Sequence, residues 1–172
     1  MRKFTTLVKY LLEASGLPRE QCSAFADQGD LLLTGRDMGP VYLPDAAGLS
    51  APRRQLEIGV WKYEAVINLE RYPYDGPTLL SLVLAWLAQH DAERAAQGLE
   101  DPKVTVTLNE ADTADVEIDI YFEEPLAVVE DAAGPIAFEG LRWSLAPTVI
   151  TPAEALAGLR GAVPQAGHGG AA

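Results

Sequence analysis

The run Leu56-Glu57-Ile58-Gly59-Val60-Trp61-Lys62-Tyr63-Glu64-Ala65-Val66-Ile67-Asn68-Leu69-Glu70-Arg71 decides the fold class. Leu56, Ile58 and Val60 fill even positions, and Trp61, Tyr63, Ala65, Ile67 and Leu69 fill odd ones. A period of two marks a strand with one buried face. The apolar phase slips by one residue at Val60-Trp61. Such a slip swaps the faces of a strand, so a bulge or sharp bend is expected there. Extended over its whole length the run would span roughly 50 Å. That is long for a chain of 172 residues, and implies a strand that bends or projects beyond the core.

After the strand, Gly76-Pro77 opens a helix with proline in its first turn. Its first half, through Leu87, is apolar nearly all round; its second, Gln89 to Gln97, is polar and closed by Gly98. Such a helix lies across a sheet and has apolar surface to spare for another subunit. Before the strand, Phe4, Leu7, Val8, Leu11 and Leu12 predict a helix over Arg2 to Ser15, with Gly16 as its C-cap. Leu31–Leu33 and Val41–Leu43 read as short strands, and Asp45–Arg54 as a loop. Lys103–Leu108 and Asp115–Phe122 alternate as two half-buried strands joined through Asn109–Ala114. Leu126–Val129 and Ile136–Phe138 flank Glu130–Pro135 as a further hairpin, and Leu141–Leu145 ends the series. The class is α+β, a mostly antiparallel sheet with a bent long strand and two main helices packed on it. One domain is expected over 1–147. A Pro/Ala/Gly-rich tail over 148–172 is expected to be mostly disordered.

The net charge is −12, and it is concentrated. Residues 100–131 hold eleven acids against Lys103 alone, a balance of −10. That argues against a nucleic-acid binder, which needs Lys and Arg on phosphate, and against docking on anionic lipid. No apolar run reaches the roughly 18 residues of a membrane span. The lone cysteine, Cys22, cannot staple the fold. The sequence has no phosphate-binding glycine loop, no nucleophile elbow and no zinc motif. Asp112, Asp115, Glu117 and Asp119 invite a calcium reading, but the spacing of a calcium loop is absent. Asp115, Glu117 and Asp119 alternate and so share one strand face. Arg53 and Arg54 precede the long strand, and Trp61, Tyr63, Tyr72 and Tyr74 lie on it or just after it. Arginine among aromatics suits a subunit or partner interface as well as a core. Neither an enzyme nor a cofactor is expected.

The order of features resembles the tail completion protein R family, the tail terminators of temperate contractile-tailed phages and related tail-like particles. The likeness lies in Met1-Arg2-Lys3-Phe4 opening an amphipathic helix, in the strand Leu56–Leu69, and in the Pro-led helix with Ala85-Trp86-Leu87. It continues in Asn109–Asp112 leading to Val116–Ile120, and in Glu123–Val128 before a glycine turn. The resemblance implies a structural virion protein. Its subunits would form a ring of six-fold symmetry on the last ring of the tail tube. The ring would stop tube and sheath growth and offer a surface to a neck or head-completion protein. Implied partners are other copies of the chain, tube and sheath proteins, and DNA that passes without specific binding. The implied location is the tail or neck of the virion, with assembly in the bacterial cytoplasm. On this view Asp115, Glu117 and Asp119 line the bore or a docking face. Two other readings stand beside it: a different neck or head–tail adaptor, and an acidic inhibitor that mimics DNA.

Overall fold

The first helix, α1 (Arg2–Ser15), buries Phe4, Leu7 and Leu11 along one stripe. It stops at Gly16, whose φ of 66° is left-handed and whose N–H reaches the Leu12 carbonyl at 3.0 Å. The computed structural model describes residues 1–44, 48–73, 75–109 and 112–147. Tyr74 and the tail expected over 148–172 lie outside the described residues.

The strands are β1 (Cys22–Pro44), β2 (Ser50–Tyr72), β3 (Lys103–Leu108), β4 (Ala114–Glu130), β5 (Ile136–Phe138) and β6 (Leu141–Leu145). They hydrogen-bond in the order β1-β2-β4-β6-β5, with β3 also on β4. The two short strands expected around Leu31–Leu33 and Val41–Leu43 are parts of one long strand, and β2 begins inside the segment read as loop. The described residues group into two packing units, Met1–Arg36 with Glu57–Leu126, and Asp37–Leu56 with the residues from Ala127 onward. β2 runs unbroken through Val60-Trp61. The expected swap of faces does not occur: Gln55, Glu57, Gly59, Tyr63, Ala65, Ile67 and Leu69, all at odd positions, are buried along the strand.

In the first unit the sheet order is β1-β2-β4-β3. Lys62 pairs with Glu123, and the Arg71 N–H with Asp115, so β2 and β4 run antiparallel. β1 and β2 also run antiparallel, because Gly29 lies against Lys62 and Gly59 against Leu32. Both glycines are required, since a Cβ on either would press 2.7 Å from the facing carbonyl oxygen. α2 (Gly76–His90) begins with the Asp75 carboxylate accepting from the Thr78 N–H at 3.1 Å. It buries Leu79, Val83, Trp86 and Leu87 and packs with α1 on one face of the sheet. Tyr63, Ala65, Ile67 and Leu69 of β2 and Val116, Ile118, Ile120 and Phe122 of β4 complete this core. Phe122 is its hub, 5.8 Å from Tyr63, 6.3 Å from Trp86 and 6.5 Å from Phe4 between ring centroids. Each such side chain contributes on the order of 1.5–3 kcal/mol by leaving water.

Three expectations change here. α2 ends at His90, not near Gln97, because the Asp91 carboxylate is drawn inward to Lys3 (2.5 Å) and Arg94 (3.0 Å). The chain then turns, closing at Gly98 with φ 69°. β3 is not half-buried: all six residues are exposed, and none joins the core, because the helices cover β2 and β4 instead. The two stretches read as Asp115–Phe122 and Leu126–Val129 form the single strand β4. Pro125 is tolerated there because β3 has already ended along that edge of β4. Side-chain donors take the free carbonyls instead, Arg94 on Tyr121 at 3.3 Å and Lys3 on Glu123 at 3.1 Å.

In the second unit β5 pairs with β6, not with β4 as expected. The turn Glu139-Gly140 has φ of 50° and 74°, the two left-handed residues of a tight type I′ hairpin. β6 is then held against the turn after β4, where the Ser144 hydroxyl donates to Asp131 at 2.6 Å and the Asp131 N–H to the Arg142 carbonyl at 2.9 Å. Trp143 is fully buried and its indole N–H donates to the Phe138 carbonyl at 2.9 Å. Val41, Ala127, Val129 and Ala146 form a small core beside it.

Candidate functional site

Helices cover one face of the first unit's sheet, and the other is the candidate site. Alternation puts Val116, Ile118, Ile120 and Phe122 under the helices and Asp115, Glu117, Asp119 and Glu123 on the opposite side. Asp115 and Glu117 are exposed and Asp119 is half-buried. They stand opposite Thr107, Thr105 and Lys103 of β3. Glu70 and Arg71 of β2 join Asp115 and Glu117 along a groove of about 920 Å³. The structure thus gathers the three predicted acids on one accessible face.

The acids are not equivalent. Asp115 accepts the Arg71 N–H at 2.7 Å and the Asn109 amide at 3.0 Å. These two bonds hold its carboxyl below the ordinary carboxylate value, so it stays charged. Lys62 bridges to Glu123 at 2.8 Å and Lys103 to Glu100 at 2.9 Å, which neutralises the two flanks. Glu117 and Asp119 have no ion pair among the described residues. Among the described residues no group of three or more His, Cys, Asp or Glu is placed to hold a metal ion, and no helix is long and apolar enough to cross a membrane.

The aromatic and arginine candidates separate. Tyr63 is buried, 2% exposed, and its hydroxyl donates to Glu124 at 2.5 Å. Tyr72 is equally buried, so both side chains serve the subunit's own core. Trp61 is half-buried, its ring 4.3 Å from Tyr63 at the margin of that core. Arg53 and Arg54 belong to the second unit, where the Arg54 guanidinium lies 5.6 Å from the Trp143 ring centroid. Tyr74 lies outside the described residues.

Two groups escaped sequence reading. Leu31, Leu32 and Leu33 are 72%, 46% and 87% exposed, within a stretch of β1 whose two faces are both open. A hydrophobic triplet reads as core unless its neighbours are known. Glu124, by contrast, is buried; it accepts the N–H groups of Arg2 at 2.7 Å and Lys3 at 3.1 Å and so caps α1. Its partners lie about 120 positions away, beyond any local pattern.

The model of one family, P2 phage tail completion protein R (GpR), matches residues 1–147. The chain belongs to that family. Neither a curated protein nor a solved structure matches it. As an R-family member it is a structural protein of the phage tail, a component of the virion that acts with other tail components. The match covers both α-helices and all six strands found among the described residues, and ends where the described residues end.

Proposed function

We propose that this R-family protein caps the head-proximal end of a contractile tail. It assembles as a homo-oligomeric ring, a hexamer on the family resemblance. The ring ends tube and sheath growth and gives the neck or head-completion protein its landing surface. The work is mechanical and needs neither catalysis nor a cofactor. Residues 1–147 form the working body, and 148–172 are an appendage to it.

The observation that carries this reading is the helix-free acidic face of the first unit. A passage for DNA must not grip phosphate, and each Lys or Arg contact would add a salt-sensitive attraction. Asp115, Glu117 and Asp119 supply the opposite charge on an accessible face, and we assign them to the bore or its rim. Arg53, Arg54 and Trp61 remain the candidates for partner contact, because each keeps some exposure. Negative-stain microscopy of the purified protein mixed with tail tubes is the test. The expected image is a ring seated on one tube end, and tubes that stop growing. Tubes that stay bare, or a protein that binds as a single copy, would sink the proposal.

A further inference from the structure

We infer that subunits join edge to edge, β3 of one copy beside β1 of the next, so that the sheet of the first unit continues from subunit to subunit. The inference rests on the ring reading above and specifies its interface. The sheet β1-β2-β4-β3 has two open edges among the described residues, and β1 and β3 are those edges. With four strands alternating in direction, the two edge strands run oppositely. Copies related by rotation about an axis to which the strands are tilted therefore bring β3 and β1 together antiparallel, with no reversal of either subunit.

Both edges are unfinished in the same way. All of β3 is exposed, with Val104, Val106 and Leu108 at 38%, 52% and 83%. β1 is exposed on both faces from Asp27 to Arg36, around Leu31–Leu33. An outer strand that is long, apolar and unpaired is a template for further pairing, and soluble proteins normally blunt it. β1 is not blunted. Its level neighbours Cys22, Ala24 and Ala26 already pack in the core, but closing a sheet staggers the strands, which moves β3 along β1 onto the exposed stretch. Charge agrees with a second copy as the occupant. The stretch carries Asp27 and Asp30, while its Arg36 is spent on Glu57 at 2.9 Å. The only charged residue of β3 is Lys103, and its pair with Glu100 is exposed on both sides, unlike that of Arg36 with the buried Glu57, so it can exchange for an acid of a neighbouring copy. A contact between unlike patches is the heterologous kind that closes rings.

The test is disulfide trapping in the full-length protein mixed with tail tubes, with ring formation followed by light scattering and microscopy. Thr105→Cys is combined in turn with Asp27→Cys, Gln28→Cys, Leu31→Cys, Leu32→Cys or Leu33→Cys, which samples both faces and the stagger. At least one pair is expected to give a ladder of three or more linked chains on oxidation, while every single variant stays unlinked. Leu33→Lys, at an 87% exposed site, is expected to weaken assembly at least tenfold with unchanged thermal unfolding. Rings that form normally while no pair gives a ladder overturn the edge contact and leave the ring reading standing. Single variants that link into dimers show a two-fold contact and also overturn it. A chain that stays monomeric even with tubes overturns both.

Discussion

Two carboxylates hold the helical layer of the first unit. The Asp91 side chain is fully buried between Lys3 and Arg94. Removing it strands two cations, so Asp91→Ala is expected to cost about 3–5 kcal/mol, measured by urea unfolding. Glu124 acts on α1 from its first turn. Burial pushes its pKa up, but the hydrogen bonds from Tyr63 and the Arg2 N–H, with the Met1 ammonium, outweigh burial and hold it below its ordinary value of 4.5. The folded pKa is thus below the unfolded one. The stabilisation is complete above the unfolded value and disappears as pH falls through the folded value. Glu124→Gln should therefore lower the melting temperature at pH 7, and the gap to the parent should close in acid. A gap that is the same at pH 7 and pH 3 would count against the assignment. Its own burial, and then the hydrogen bond and charge of Glu124, push the Tyr63 hydroxyl up, so that it remains a donor.

At the scale of elements, the β5–β6 turn makes a sharp forecast. Glu139 holds a left-handed conformation, φ 50°, that asparagine adopts more readily. Glu139→Asn should stabilise by up to about 1 kcal/mol, and a fall in melting temperature would show that the glutamate does something else. What was legible in the sequence follows the range of the interactions. α1 could be bounded from residues alone because its stripe and its Gly16 cap are local. The span of β3 was readable because alternation is local too. Its burial was not, because whether Val106 is covered depends on where α1 and α2 settle. The partner of Ile136–Phe138 was misread for a related reason. The turn Glu139-Gly140 is tight, but Asp131 and Ser144 decide that β6 lies between β4 and β5. The acidic face came from plain alternation, whereas the roles of Tyr63 and Glu124 depend on contacts far apart in the chain.

At the scale of the whole chain, one expectation follows from the family match ending at 147 and another from the acidic face. Deleting 148–172 should leave the thermal unfolding of the remainder within about 0.5 kcal/mol, the range of changes that touch no packed group. A larger loss would place that segment inside the working body. Reversing the three charges of Asp115, Glu117 and Asp119 to lysine should leave ring assembly intact. It should also create DNA binding that weakens steeply as salt rises. A triple variant that still ignores DNA at low salt would remove the bore assignment and leave these acids a role in solubility.

The hold of Glu124 on the Arg2 and Lys3 amides also has a consequence in time. The acceptor lies 122 positions after the first of its donors. At roughly 5–20 residues per second of synthesis, the ribosome exposes the stripe of Phe4, Leu7 and Leu11 for many seconds before β4 exists to receive it. The nascent chain is therefore a client for whatever shelters apolar helices as they emerge, and the soluble yield of this protein should depend on translation speed and growth temperature more than its folded stability alone would suggest.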